Sequence, residues 1–271
     1  MDSISSIFLG IIQGLTEFLP VSSSGHLVVF QNILGFQEPE ILLDISLHIG
    51  TLLAVCIFFR NDLKVMLKET WFFIMDMSGG RIKITRISER PEVMLTMWII
   101  VGTIPTSLIG LIFKSPLENL FGDVNRVGYM LICTGVLVAV TRLIPASYSS
   151  RKKVGLLTAM AVGTAQGLAI IPGISRSGAT IVCGMICGMD RELSGRFSFL
   201  LSIPAIAGAL VLELGSKGFG EAGFMPLVLG FLSAAVVGLL ALKILMGLVR
   251  KGSLFYFAPY CWLLGLFIIF R

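Results

Sequence analysis

Apolar positions in this chain fall in long unbroken stretches rather than at every second or every third-and-fourth residue. Residues 93–113, 222–242 and 252–270 are almost wholly apolar. Each matches the roughly 20 residues that a helix needs to cross a bilayer. Residues 41–59, 127–144 and 197–214 lie near the lower limit of that length and carry few charges. The pattern predicts an all-α polytopic membrane protein with six transmembrane helices.

Two further apolar regions are interrupted. Residues 4–34 are broken at Pro20-Val21-Ser22-Ser23-Ser24-Gly25, and residues 155–189 at Pro172-Gly173-Ile174-Ser175-Arg176-Ser177-Gly178. Pro, Gly and clustered hydroxyls continue a helix poorly. The arm 4–19 spans about 24 Å as a helix and the returning arm 26–36 about 16 Å, short of a hydrocarbon core of about 30 Å. Each region is predicted to be a re-entrant helical hairpin. Irregular backbone at membrane depth is tolerated only inside protein or beside a water-filled cavity, so the breaks point to a site.

The breaks resemble each other. Gly25 follows Gln13-Gly14-Leu15 twelve positions after the glutamine, and Gly178 follows Gln166-Gly167-Leu168 at the same spacing. This is an internal repeat of about 153 residues. It divides one integral membrane domain, 1–271, into halves of about 1–150 and 151–271. Arg60, Lys64, Lys68, Arg81, Lys83, Arg86 and Arg90 crowd the first long loop, Arg142, Arg151, Lys152 and Lys153 a second, and Lys243, Arg250 and Lys251 a third. The bias of basic loops puts these in the cytoplasm. Both termini are then outside, and the two halves have inverted topology. Residues 62–77 could lie on the cytoplasmic surface as an amphipathic helix.

Composition agrees. The chain has 271 residues, 55% hydrophobic and 14% charged, with a mean hydropathy of +0.93; soluble domains carry about 25% charged residues. This excludes a soluble enzyme, a disordered protein and a disulfide scaffold. The net charge of +5 lies in short clusters between apolar runs, which argues against a nucleic-acid partner. Cys183 and Cys187 lie on an apolar stretch without a neighbouring histidine, a poor metal site. No basic n-region precedes the first apolar run, so no cleaved signal peptide is expected.

Ionisable groups within apolar segments are costly and usually functional. Here they are Glu17, His26, Asp44, His48, Arg176 and Glu213. Glu17 follows Gln13 by four residues, on one helix face. Ser22, Ser23 and Ser24 sit where a new helix begins and are N-cap candidates; His26 is one turn in. Ser175, Arg176, Ser177 and Thr180 open the second returning helix. Helix N-termini bind phosphate-like anions, and arginine supplies a planar fork for phosphoryl oxygens. The set suits phosphoryl transfer, with Ser23 or His26 attacking and Glu17 or His26 handling protons. Simple capping, helix–helix hydrogen bonding and snorkelling are the structural alternatives. Glu213 is read as interfacial. Asp44 and His48, four apart, could support the site, ligate a metal or simply pack.

Residues 13–26 (QGLTEFLPVSSSGH) and 172–180 (PGISRSGAT) closely resemble the two signature segments of bacterial undecaprenyl-diphosphate phosphatases, the family associated with bacitracin resistance. The run 44–52 (DISLHIGTL) is similar too, and the resemblance covers nearly the whole chain. It implies a plasma-membrane enzyme, open to the outer face, that removes the terminal phosphate of undecaprenyl diphosphate. The product would carry cell-wall precursors. It implies Glu17, Ser23, His26 and Arg176 as catalytic residues. Gln13, Ser22, Ser24, Gly25, Ser175, Ser177, Gly178 and Thr180 would bind substrate. It also implies a divalent cation, Mg²⁺ or Ca²⁺, with Glu17 and Asp44 as candidate ligands. Gln13 stands where the family pattern allows Glu or Gln, and a neutral amide can be neither general base nor strong ligand. The partners are a polyprenyl diphosphate lipid and the bilayer; a homodimer stays open. The Ser-Gly-His at 24–26 also occurs in type 2 phosphatidic-acid phosphatases, but Ser175-Arg176 lacks the histidine that family needs six residues on. A lipid flippase or transporter using the same broken helices is the competing function. An intramembrane serine hydrolase lacks its G-x-S-x-G elbow.

Overall fold

Capping chemistry and proline fix where each helix starts and stops. The computed structural model describes residues 2–34, 41–80, 84–113, 124–145, 147–148, 150, 153–216 and 223–270. Its helices are α1 Ser3–Phe18, α2 Ser23–Ile33, α3 Ile41–Phe58, α4 Arg60–Ser78, α5 Pro91–Ile112, α6 Val124–Val140, α7 Leu156–Leu168, α8 Arg176–Ile186, α9 Arg191–Ser216, α10 Phe224–Lys251 and α11 Ala258–Phe270. Short 3₁₀ turns lie at Ile84–Glu89, Thr141–Leu143 and Leu254–Phe257. No strand is present among the described residues. Asp2 caps α1 by accepting the Ser5 N–H at 3.2 Å, and α1 ends where Pro20 follows the extended Leu19. Pro91 sits in the first turn of α5, the one place in a helix where its missing N–H costs nothing. Gly252, with φ 72°, closes α10.

Among the described residues, four segments are long and apolar enough to cross a membrane: Pro91–Ile112, Asn125–Leu143, Arg191–Leu212 and Phe224–Lys251. They correspond to four of the six predicted spans. The predicted span 41–59 is α3, which bends by 73° into α4 and counts as a fifth crossing only as part of that bent pair. The predicted span 252–270 is a 3₁₀ turn followed by a short apolar helix. Both predicted breaks fall where helices end and restart, at residues 19–22 and 169–175. The first returning helix starts three residues before 26, because the Ser22 side chain caps it. Large apolar side chains such as Ile100, Leu157 and Phe224 face outward, the reverse of a water-soluble surface and suited to lipid.

Helix α1 packs lengthwise along α10 and against α3, α7 packs along α5 and against α8, and α6 packs along α11. Small residues make these approaches close, the usual device where lipid is the solvent. A Cβ at Gly14 would meet Gly238 N at 2.8 Å and Ala234 O at 2.9 Å. The seam therefore holds α1 in place up to Phe18, which packs against Phe199 in the largest core cluster. Since both neighbours are backbone atoms, Gly14→Ala is predicted to push α1 off α10 and cost about 1–3 kcal/mol. It should also reduce activity, because Glu17 lies one turn on. Gly208 and Gly247 face open space, and alanine there should leave thermal unfolding in detergent unchanged.

Candidate active site

The first break turns on Ser22, the one described non-glycine residue in the left-handed region, at φ 68°. That backbone is unfavourable for an L-residue and persists only when the surroundings hold it. Here Ser22 is buried. Its Oγ accepts the Gly25 N–H at 3.4 Å and its carbonyl accepts the His26 N–H at 3.3 Å. The second break turns on Gly173, at φ 94°; a Cβ there would meet Met130 Cβ and Val127 O at 2.6 Å. Thr134 of α6 pins this loop, donating to the Gly173 carbonyl at 2.8 Å and accepting the Ser175 N–H at 3.0 Å. Ser175 then caps α8, accepting the Gly178 N–H at 3.1 Å.

The two helix starts are built alike. Ser22 and Ser24 lie Oγ to Oγ at 3.3 Å, and Ser175 and Ser177 at 3.1 Å. Ser23 and Arg176 occupy the same position, the first residue after the cap. Because the caps take the N–H groups of Gly25 and Gly178, those glycines do not offer free donors to a ligand. The N–H groups of Ser23, Ser24, Arg176 and Ser177, which have no intrahelical partner, do.

Glu17 joins the two starts. Its carboxylate is buried; Oε1 accepts from Arg176 Nη2, and Oε2 accepts from Ser23 Oγ at 2.5 Å and Gln13 Nε2 at 3.1 Å. Three donors from two hairpins thus converge on one carboxylate, whose charge Arg176 balances. Ser177 Oγ adds a contact to the Leu19 carbonyl at 3.4 Å. Ser23 and Arg176 keep partial exposure, so the cluster is reachable from outside the protein.

Other predicted residues sit elsewhere. His26 does not bond to Ser23. Its Nδ1 donates to the Ser22 carbonyl at 2.8 Å, which leaves Nε2 facing the Tyr260 hydroxyl at 2.7 Å. The Ser23 proton has Glu17 as its acceptor instead. Thr180 is fully buried and turned toward α9, bonding to Ser198 Oγ at 2.5 Å and the Arg176 carbonyl at 2.8 Å; it braces α8 and does not face the cluster. Asp44 accepts from Gln31 Nε2 at 2.8 Å, and His48 Nδ1 bonds to the Asp44 carbonyl at 2.7 Å. The side chain of Glu213 lies outside the described residues. Sequence reasoning missed Tyr260, Thr134 and Gln31. Thr134 and Gln31 had a signal, a polar side chain on an apolar helix; Tyr260 had none, since aromatics read as packing.

Among the described residues no three His, Cys, Asp or Glu side chains come together to hold a metal, so there is no all-protein cage. Asp44, the other predicted ligand, accepts from Gln31 through Oδ1. Beside Glu17, however, Gln13 Oε1 is buried without a hydrogen-bond partner. Mg²⁺ sites often use one or two carboxylates with substrate phosphates and waters. Glu17 and Gln13 Oε1 fit a cation of that kind.

Comparison with known proteins gives a consistent result. The family model described as "Bacitracin resistance protein BacA" matches residues 6–267. A protein named undecaprenyl-diphosphatase from Desulfosudis oleivorans is 47% identical over 98% of this chain and 97% of its own. One of the same name from Desulfatibacillum aliphaticivorans is 46% identical over 98% and 97%. Another from Methanobrevibacter smithii is 40% identical over 99% and 97%.

Because Glu17 is the shared acceptor, Glu17→Gln leaves Arg176 unpaired and Ser23 without a base. It is predicted to lower turnover by about 10²–10³-fold. Gln13→Ala removes one of three donors and should cost clearly less. Steady-state turnover in detergent checks the order; a larger loss for Gln13→Ala contradicts it.

Proposed function

The chain belongs to the bacitracin resistance protein BacA family, and we propose that it is the multi-pass membrane enzyme that hydrolyses undecaprenyl diphosphate to undecaprenyl phosphate and inorganic phosphate. That reaction returns the lipid carrier for cell-wall synthesis, and bacitracin resistance follows from restoring the monophosphate. The observation that carries the reading is the Ser23 hydroxyl on the Glu17 carboxylate at 2.5 Å, with Arg176 on the opposite oxygen. A carrier that only held the headgroup would gain little from a hydroxyl–carboxylate pair.

In this mechanism the terminal phosphoryl group lies over the starts of α2 and α8. The N–H groups of Ser23, Ser24, Arg176 and Ser177 face its oxygens. Arg176 keeps one arm on Glu17 and turns the rest of its fork to the phosphoryl group. Ser23 Oγ attacks phosphorus as its proton passes to Glu17. The bond to the bridging oxygen breaks, and undecaprenyl phosphate leaves. Glu17 hands that proton to the departing undecaprenyl phosphate; water then attacks the phosphoserine, giving its proton to Glu17, which returns it to Ser23 Oγ as phosphate departs. His26, fixed between Ser22 and Tyr260, holds the start of α2 rather than moving the proton. Glu17, with Gln13 Oε1 beside it, would hold a divalent cation, Mg²⁺ or Ca²⁺, which would supply charge neutralisation for the phosphoryl oxygens.

We read the architecture as one domain of six spans and two re-entrant hairpins, in two inverted halves of about 1–150 and 151–271. The matched caps at Ser22 and Ser175 and the paired packing of α1 on α10 and α7 on α5 support this. The basic loops support an orientation with those loops in the cytoplasm; the family resemblance implies the plasma membrane and a site open to the outer face.

Phosphate release by purified protein from a long-chain prenyl diphosphate tests the activity. Ser23→Ala and Arg176→Lys are each predicted to lose at least about 10²-fold, since lysine keeps the charge but not the fork. Near-full release by Ser23→Ala, with loss in His26→Ala, overturns serine attack. For topology, cysteines placed at 145–153 should react only with reagents on the cytoplasmic side; labelling from outside contradicts it.

A further inference from the structure

Helix α4 is turned inside out. On a helix facing water, the charged residues lie outward and the apolar ones inward. In α4 the buried side carries Met66 and Phe73 together with the acids Asp62 and Asp76. Each acid meets an arginine of the bundle. Asp62 accepts from Arg196 Nε at 2.5 Å, in a cluster that Glu92 completes at 2.8 Å, and Asp76 accepts from Arg90 at 3.0 Å. Arg90 also lies over the Phe73 ring at 5.7 Å. At 100° per residue the third acid, Glu69, falls on this same side, and it is half-buried.

The opposite side holds Leu67, Trp71 and Met75, which are 71%, 63% and 53% exposed. Lys64 and Lys68, both exposed, are interleaved one turn apart on the same face, and Arg60 opens it. No acid shares it. The helix leaves α3 at a 73° bend, and it is followed at once by the basic stretch that includes Arg86 and Arg90.

We propose that α4 is an interfacial helix that docks the outward face into an anionic lipid leaflet, on the side of the basic loops. Leu67, Trp71 and Met75 enter the headgroup–acyl boundary. Lys64 and Lys68 lay their stems along that apolar surface and put their ammonium groups among lipid phosphates. Withdrawal of all three acids to the inner side is what selects an anionic over a neutral surface: the outward face is purely cationic. A neutral apolar partner would leave both lysines without counter-charge, and a water-exposed face would leave three large apolar side chains uncovered.

The test uses full-length protein in phosphatidylcholine vesicles into which either brominated phosphatidylglycerol or brominated phosphatidylcholine is mixed at the same mole fraction. Bromine quenches tryptophan on contact. The Trp71 signal is the difference between the wild type and Trp71→Phe, which leaves Trp98 and Trp262 in both. The expected result is quenching by both lipids, with phosphatidylglycerol enriched about fivefold per lysine at low salt. Lys64→Gln with Lys68→Gln should cut the enrichment to the share that Arg60 carries, about fivefold, yet leave quenching by phosphatidylcholine intact. Equal quenching by the two lipids in the wild type overturns the anionic preference. No quenching by either overturns the lipid assignment and leaves a protein partner or water on that face.

Discussion

One buried carboxylate ties this molecule together at the place where its helices are broken. Glu17 sits near the end of α1 and receives Arg176 from the second hairpin, Ser23 from the first, and Gln13 from its own helix. A buried charge is tolerable only when paired and hydrogen-bonded, and removing one partner typically costs about 3–5 kcal/mol. The cluster thus fixes two loops, one turning at Ser22, where an L-residue is strained, and one at Gly173, where glycine takes the positive φ freely. The glycine-lined seam of α1 on α10 and the pinning of the second loop by Thr134 bring the partners into register.

The same constraint explains a division of labour. Two helix starts with matching caps face each other, and the position after each cap holds different chemistry: a hydroxyl at Ser23 and a guanidinium at Arg176. Either start alone would be an anion-binding helix terminus. Together they bring a hydroxyl, a carboxylate and a guanidinium into one cluster. Their half-exposed edges leave the cluster reachable from outside the protein.

Much of this was legible in the sequence, because membranes simplify the reading. Long apolar runs could be nothing but helices, and the Pro-Gly-hydroxyl breaks at 20–25 and 172–178 could not continue them. Glu17 and Arg176 stood out because charge in an apolar segment needs a reason. What the sequence hid was direction. Spacing put His26 on the side of Ser23, yet Glu17 from the preceding helix takes the Ser23 hydroxyl, and His26 turns to the Ser22 carbonyl and to Tyr260, far away in sequence. The direction of Thr180 was hidden too: a residue one turn into a helix points where the packing with α9 sends it. The inward acids of α4 were equally invisible, since their arginine partners at 90 and 196 come from other segments. The short helix at 254–270 and the bent α3–α4 pair show that apolar length alone does not fix a span count.

The central claim is that Ser23, with Glu17 as its base, takes the phosphoryl group before water does. The stereochemical course at the terminal phosphorus tests it most directly, using a terminal phosphorothioate of a long-chain prenyl diphosphate made chiral with oxygen isotopes. Two successive in-line displacements through Ser23 give net retention of configuration, which is the result predicted. Net inversion would mean a single attack by water and would contradict the account.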